Sequence, residues 1–355
     1  MVFQFLDHRS CKIKVVHRKK VPMIAQLDKT YIKINPRKVI PRLVSYAFFE
    51  GRPLTTKGTW INPIVFANLE ILKQIPFKKK VEKPIFIIGT GRSGTTILGV
   101  LLSMHSDVGF LNEPKALWHS VYKEEDVIGS YSRQNAKYRL FEKDATEEVI
   151  RDTNRIIGMY LKIIRSKRLV DKYPELIFRI PFVKSIYPDA KLIFLTRNGW
   201  DACGSIEKWS KKYKQHVGRE LHDWWGADNR KWKLMLSELL NTDPFFQNSI
   251  DIISNFTSHN DMAVIEWIVT MREGLKHINN FKNCMYMLRY EDLIENPFKN
   301  ISQLMAFCEL KEDPNVYNYA ERVLKKRPQH NKFEIQPQIL PLFNETMTSL
   351  GYKNL

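Results

Sequence analysis

Pro84 to Gly89 (PIFIIG) is a short unbroken apolar run that stops at a glycine-rich turn, Gly89 to Thr96 (GTGRSGTT), and continues as TTILGVLLS with helical spacing. An apolar run this short, closed by a turn, reads as a strand buried on both faces, which is the habit of inner strands in parallel sheets. Parallel neighbours need a crossover, so strand, tight loop and helix within about 20 residues commit the chain to an α/β architecture. Lys191 to Thr196 (KLIFLT) repeats the pattern, ending at Arg197-Asn198-Gly199 before a helical stretch through Trp209. Cys284 to Arg289 (CMYMLR) repeats it again, ending at Tyr290-Glu291-Asp292-Leu293. Three such units predict a P-loop-like central parallel sheet flanked by helices.

Charge divides the chain. Residues 1–80 hold 17 basic and 4 acidic residues, which is +13 of the total +18, so the remaining 275 residues are near neutral. A cationic segment suits an anionic membrane surface or a polyanionic substrate, and it equally suits a solvated face. Its clusters, His17 to Lys20 and Lys78 to Lys80, are separated by apolar stretches such as Leu43 to Phe49. No recognition motif for nucleic acid accompanies the charge, and no nucleic-acid partner is expected. No apolar run approaches the roughly 18 residues of a membrane span, and the first residues lack the apolar core of a signal peptide. The expected location is therefore cytoplasmic, with peripheral contact at a membrane surface through the basic N-terminus. Cys11, Cys203, Cys284 and Cys308 are scattered singly and read as free thiols.

Six prolines in residues 1–80 predict short elements packed as an appended layer, with Pro63 to Gln74 as one helix. The main domain is expected over 81–355. Within it, residues of about 213–267 read as a mostly helical insertion. Six of the eight tryptophans lie between 200 and 267, which suggests a lid over an acceptor site, with core packing accounting for about half of them.

The spacing of Gly89 and Gly94 is that of a phosphate-cradling loop, where backbone N–H groups and the following helix end converge on anionic oxygens. Gly91, Arg92, Ser93, Gly94, Thr95 and Thr96 are the candidate ligands. A loop built for nucleoside triphosphates needs Lys directly after the second glycine, and Thr95 stands there. Arg92 supplies cationic charge from within the loop instead.

This stretch, PIFIIGTGRSGTTILGVLL, resembles the 5′-phosphosulfate loop of the sulfotransferase family, nearest the branch with tyrosylprotein and carbohydrate sulfotransferases. LIFLTRNGWDACGSI is similar to that family's second signature, in which Arg197 and Ser205 would bind the 3′-phosphate of the donor. An Arg at a strand end and a hydroxyl two helical turns later can meet on one phosphate. The resemblance covers about residues 84–310 and implies 3′-phosphoadenosine 5′-phosphosulfate as co-substrate and no metal.

Sulfuryl transfer needs a base for the acceptor hydroxyl and a cation for the departing oxygen. Glu113, 21 residues beyond Arg92 and just beyond the helix after the loop, matches the branch's catalytic glutamate. Lys172, 25 residues before Arg197, matches its lysine. His105, where the cytosolic branch would offer a histidine, reads as a helix-end residue, and Glu291 with Asp292 as capping acids. The late glycine-rich lysine motif of the cytosolic branch is not evident, and Lys325-Lys326-Arg327 is the candidate substitute. The expected acceptor is a hydroxyl on a carbohydrate or glycolipid, with peptide tyrosine compatible. The rivals are a nucleoside-triphosphate-dependent, kinase-like enzyme and a non-catalytic nucleotide- or glycan-binding protein.

Overall fold

Five short strands form one parallel sheet in the computed structural model, which describes residues 24–77, 80–325 and 332–352. In chain order these are β1 (Ile85–Gly89), β2 (Val108–Asn112), β3 (Arg168–Lys172), β4 (Lys191–Thr196) and, after a small sheet, β8 (Met285–Arg289). Their order across the sheet is β2-β3-β1-β4-β8. β1 is central, with Ile87 aligned to Lys172 on one side and to Ile193 on the other.

Alternation along β1 feeds two cores. Phe86 and Ile88 join one layer with Trp118, Phe182 and Trp267, while Ile85 and Ile87 join the other with Leu98, Leu101 and Leu304. Every residue of β1 is buried, as the unbroken apolar run required.

β2 and β3 were not among the three expected strands. β2 is only Val-Gly-Phe-Leu-Asn, and β3, Arg-Leu-Val-Asp-Lys, buries two charged residues, so neither has an apolar signature. Glu113 consequently follows a strand rather than the helix after the glycine loop.

Most of residues 213–267 are helical, with one addition. The insertion contains an antiparallel sheet of β5 (Gln215–Val217), β6 (Glu220–Asp223) and β7 (Gly226–Ala227). These strands are too short and polar to show a period of two, and their turns use Gly218 and Gly226 at positive φ.

Helices Lys29–Ile34, Val39–Phe48 and Asn62–Gln74 precede the sheet. Part of the basic excess in this segment is internal. Arg42 is fully buried, forms a two-pronged pair with Glu50 at 2.5 and 2.7 Å, and donates to the carbonyls of Ala25 and Phe110. Lys38 donates to the carbonyls of Ser106 and Val108 at 2.8 and 2.7 Å. The clusters His17 to Lys20 and Lys78-Lys79 lie outside the described residues.

Candidate active site

The strand order brings the candidate residues to one edge. At the carboxyl ends of neighbouring strands stand Glu113 after β2, Lys172 closing β3, the glycine loop after β1, Arg197 after β4 and Tyr290 after β8. That edge, around the central strand where the chain turns from one side of the sheet to the other, is where open α/β sheets bind ligands.

The loop has the backbone of a cradle. Gly94 has φ of 97°, and a Cβ there would lie 2.4 Å from the Tyr290 ring. Arg92 takes a left-handed φ of 68°, uncommon for a residue with a side chain and recurrent at functional sites. Its Nε donates to Ser205 Oγ at 3.1 Å, and Arg197 Nη1 donates to the Arg92 carbonyl at 3.0 Å. Arg197 is further held by Asp201 at 3.6 Å and by the Tyr290 face at 4.8 Å, with its carbonyl accepting from Trp267 Nε1. The loop, Arg197 and Ser205 therefore form one constellation. Thr95 is buried at the helix start, and Thr96 is exposed one residue on.

Three polar atoms in this constellation are buried without a partner in the protein: Thr90 Oγ1, Ser93 Oγ and Arg197 Nε. An orphaned buried donor costs about 1–3 kcal/mol, so three in one place mark a site that expects a hydrogen-bonding guest. Phosphate oxygens suit all three.

The insertion reaches this loop through Trp224. A Cβ on Gly91 would lie 2.4 Å from the edge of the Trp224 ring, so only glycine lets the indole rest there. The indole Nε1 donates to Glu266 Oε2 at 2.5 Å, and Glu266 pairs through its other oxygen with Lys231, whose ammonium lies 4.8 Å from the Trp224 ring. Trp209 meets Trp224 edge to face at 5.2 Å. Trp225, Trp232 and Trp267 belong to the core, whereas Trp200, Trp209 and Trp224 are only partly buried.

On the β2–β3 side, Glu113 has a left-handed φ of 50° and its N–H donates to the Lys172 carbonyl at 2.7 Å. The Lys172 ammonium donates to Glu113 Oε1; the lysine side chain is 1% exposed and the glutamate 36%. Behind this pair, Lys115 bonds Glu175 at 3.2 Å and Lys231 stands 4.0 Å from the same carboxylate. Burial alone would raise the Glu175 carboxyl, but the two ammonium groups outweigh it and hold it down at about 2. The same carboxylates hold the Lys115 and Lys231 ammonium groups up against burial.

Residues 84–247 match the sulfotransferase family. That match covers just under half of the chain, the part that holds the glycine loop, Arg197 and Ser205. It is similar to a putative protein-tyrosine sulfotransferase of Caenorhabditis briggsae, 21% identical over 68% of this chain and 71% of that one. It is also similar to an uncharacterized protein of Aquifex aeolicus, 24% identical over 70% of this chain and only 28% of the other, so it spans a minor part of that relative. Among solved structures, the sulfotransferase domain from the Curacin biosynthetic pathway superposes with a TM-score of 0.45 at 14% identity, over 78% of this chain and all of that domain.

The other sequence candidates are structural or lie partly outside the described residues. His105 is buried, with Nε2 against the Lys311 carbonyl at 2.9 Å and Nδ1 accepting from the Asp107 N–H. Glu291 accepts from the Asn198 N–H at 3.0 Å and from Tyr352 Oη at 2.8 Å, which fixes the turn carrying Arg197. Lys325 is exposed; Lys326 and Arg327 lie outside the described residues. Sequence reasoning missed Lys115, Glu175, Lys231 and Glu266. The first two adjoin Glu113 and Lys172 along the chain, which is a usable signal, whereas nothing in the sequence ties Lys231 to Glu266.

Proposed function

We propose that this chain moves a sulfuryl group from 3′-phosphoadenosine 5′-phosphosulfate to an acceptor hydroxyl. The observation that carries the reading is the set of partnerless buried donors, Thr90 Oγ1, Ser93 Oγ and Arg197 Nε, gathered around a left-handed glycine turn. Gly91, Arg92, Ser93, Gly94, Thr95 and Thr96 would hold the 5′ end, and Arg197 with Ser205 the 3′-phosphate. The absence of a lysine at position 95 counts against a triphosphate-dependent enzyme.

In the transfer, Glu113 takes the acceptor proton as the acceptor oxygen bonds to sulfur. The bond from sulfur to the 5′-phosphate oxygen breaks, leaving the 3′,5′-bisphosphate, and Lys172 supports the negative charge on the departing oxygen. Half-open Glu113 is reachable by an incoming hydroxyl, and Lys172 lies between it and the glycine loop in strand order. We assign the catalytic domain to 81–355 and an N-terminal extension to 1–80, of which the described residues 24–77 pack on the sheet domain.

The acceptor we favour is a carbohydrate or glycolipid hydroxyl, because partly exposed Trp200, Trp209 and Trp224 offer faces on which a sugar stacks. Peptide tyrosine is the second reading, supported by the similarity to the nematode protein-tyrosine sulfotransferase. Calorimetry with 3′-phosphoadenosine 5′-phosphate, ATP and 5′-AMP tests the donor. Selective binding of the bisphosphate, weakened about ten- to a hundredfold in Arg197→Ala, is expected from the loss of charge-assisted hydrogen bonds. Binding of ATP alone, or of none of the three, overturns the assignment.

A further inference from the structure

Helix Val39–Phe48 is inverted. Its polar side chains Arg42 and Ser45 point inward and are 1% exposed, while Ile40, Leu43 and Phe48 point outward and are 72%, 41% and 42% exposed. A surface helix ordinarily does the opposite, and one that is apolar on its outer side has that side covered by something. Helix Asn62–Gln74 lies beside it, with Asn68 donating to the Phe48 carbonyl at 3.1 Å. That helix buries Val65, Leu69 and Leu72 and exposes Ile64 and Ile71, and Trp60 just before it is 76% exposed. Seven of the fifteen exposed large apolar side chains among the described residues fall within residues 32–71.

Charge says what covers this surface. The exposed basic residues of the layer are Lys29, Lys33, Arg37 and Lys57, whereas its acids are committed: Asp28 caps a helix, Glu50 is buried against Arg42, and Glu70 pairs with Lys73. Aliphatic and indole side chains bordered by free cations match an anionic lipid interface, with apolar groups entering the acyl boundary and lysines meeting headgroups. A second copy of the chain would bring the same cations against each other. Among the described residues no helix is long and apolar enough to cross a membrane, so the contact is one of lying on the surface.

We propose that the outer faces of helices Val39–Phe48 and Asn62–Gln74, with Trp60, dock on an anionic lipid bilayer. The docking face is coupled to the active site through Glu50. The Glu50 carboxylate accepts from the Asn112 N–H at 2.7 Å and its carbonyl accepts from the Ala116 N–H at 3.3 Å, which brackets the turn carrying Glu113. A membrane-borne acceptor would thus meet the site from the side on which the protein rests. The docking proposal stands without the catalytic reading, because its evidence lies outside the site.

The test is sedimentation of the full chain with phosphatidylcholine vesicles, with and without phosphatidylglycerol. The expected result is binding to the anionic vesicles that weakens with added salt. Ile40→Ser combined with Ile71→Ser should weaken it by about tenfold or more, since each removes a large apolar side chain from the interface. Thermal unfolding of the double variant should match the wild type, because both side chains are exposed. Trp60→Phe should abolish most of the blue shift in tryptophan emission that accompanies binding. Equal binding by wild type and double variant would overturn the proposal, since the cationic N-terminus would then suffice. So would absence of binding to either vesicle, or a wild-type dimer that the double variant converts to monomer.

Discussion

The two halves of the site edge handle charge in opposite ways. On the β1–β4 side, Thr90, Ser93 and Arg197 each keep a buried polar atom without a partner in the protein. On the β2–β3 side, the ammonium groups of Lys172, Lys115 and Lys231 are matched to Glu113, Glu175 and Glu266. The first half leaves polar atoms to be completed from outside, which suits the anion proposed for it. The second is neutral by itself, so it tolerates burial beside an uncharged acceptor and can exchange partners during the reaction. Orphaned donors favour a permanent requirement for an anion, whereas paired charges favour a proton that moves and returns.

Glu113→Gln breaks the second half most severely. The amide oxygen can still accept from Lys172, but the proposed base is gone, so sulfuryl transfer should fall by roughly 10²–10⁴-fold. Bisphosphate affinity, which the proposal assigns to the other half, should stay within a few-fold of wild type when measured by calorimetry on the same preparation. A parallel collapse of binding would show that the two halves are not separable.

Glu266→Ala tests the pairing itself. It strands Lys231, 3% exposed, and removes the acceptor of the Trp224 indole N–H. Breaking a buried pair from one side costs about 3–5 kcal/mol, to be read from denaturant midpoints. A loss below about 1 kcal/mol would mean that Lys231 finds Glu175, 4.0 Å away, as a sufficient replacement.

The halves also differ in how far the sequence revealed them. The glycine loop and the Arg197–Ser205 pair lie on segments whose strand, turn and helix signals coincide, and the position-specific need for glycine leaves a visible mark. β2 and β3 carry the other half and were invisible as strands, because buried Asp171 and Lys172 interrupt the only pattern that identifies a short inner strand. Lys172 is buried against Glu113, while Asp171 accepts from Trp118 Nε1 at 2.9 Å through one oxygen only and burial pushes its carboxyl up to about 8; partners 59 and 53 residues away offset only part of what looks locally unsuitable. The same limit hid the sheet β5–β7, whose position is set by packing of Trp224 and Trp225 rather than by its own residues. Helix Val39–Phe48 is a third instance, since its inward arginine is explained by Glu50 and by the carbonyls of Ala25 and Phe110, none of them on the helix itself.

Trp224 touches both halves, and its substitution carries the smallest expected effect. Trp224→Phe keeps an aromatic edge near Gly91 but removes the hydrogen bond to Glu266 Oε2. Glu266 retains Lys231, so stability should fall by only about 1.5–3 kcal/mol, as for a lost hydrogen bond to a charged group. If the indole links the halves, bisphosphate should protect wild type against thermal unfolding more than it protects Trp224→Phe. Combined with Glu266→Gln, the substitution should then cost less than the two changes summed, because both remove the same bond. Strict additivity, with equal protection by nucleotide, would show instead that Trp224 only fills space over Gly91, and that charge in the β2–β3 half is set without reference to what occupies the glycine loop.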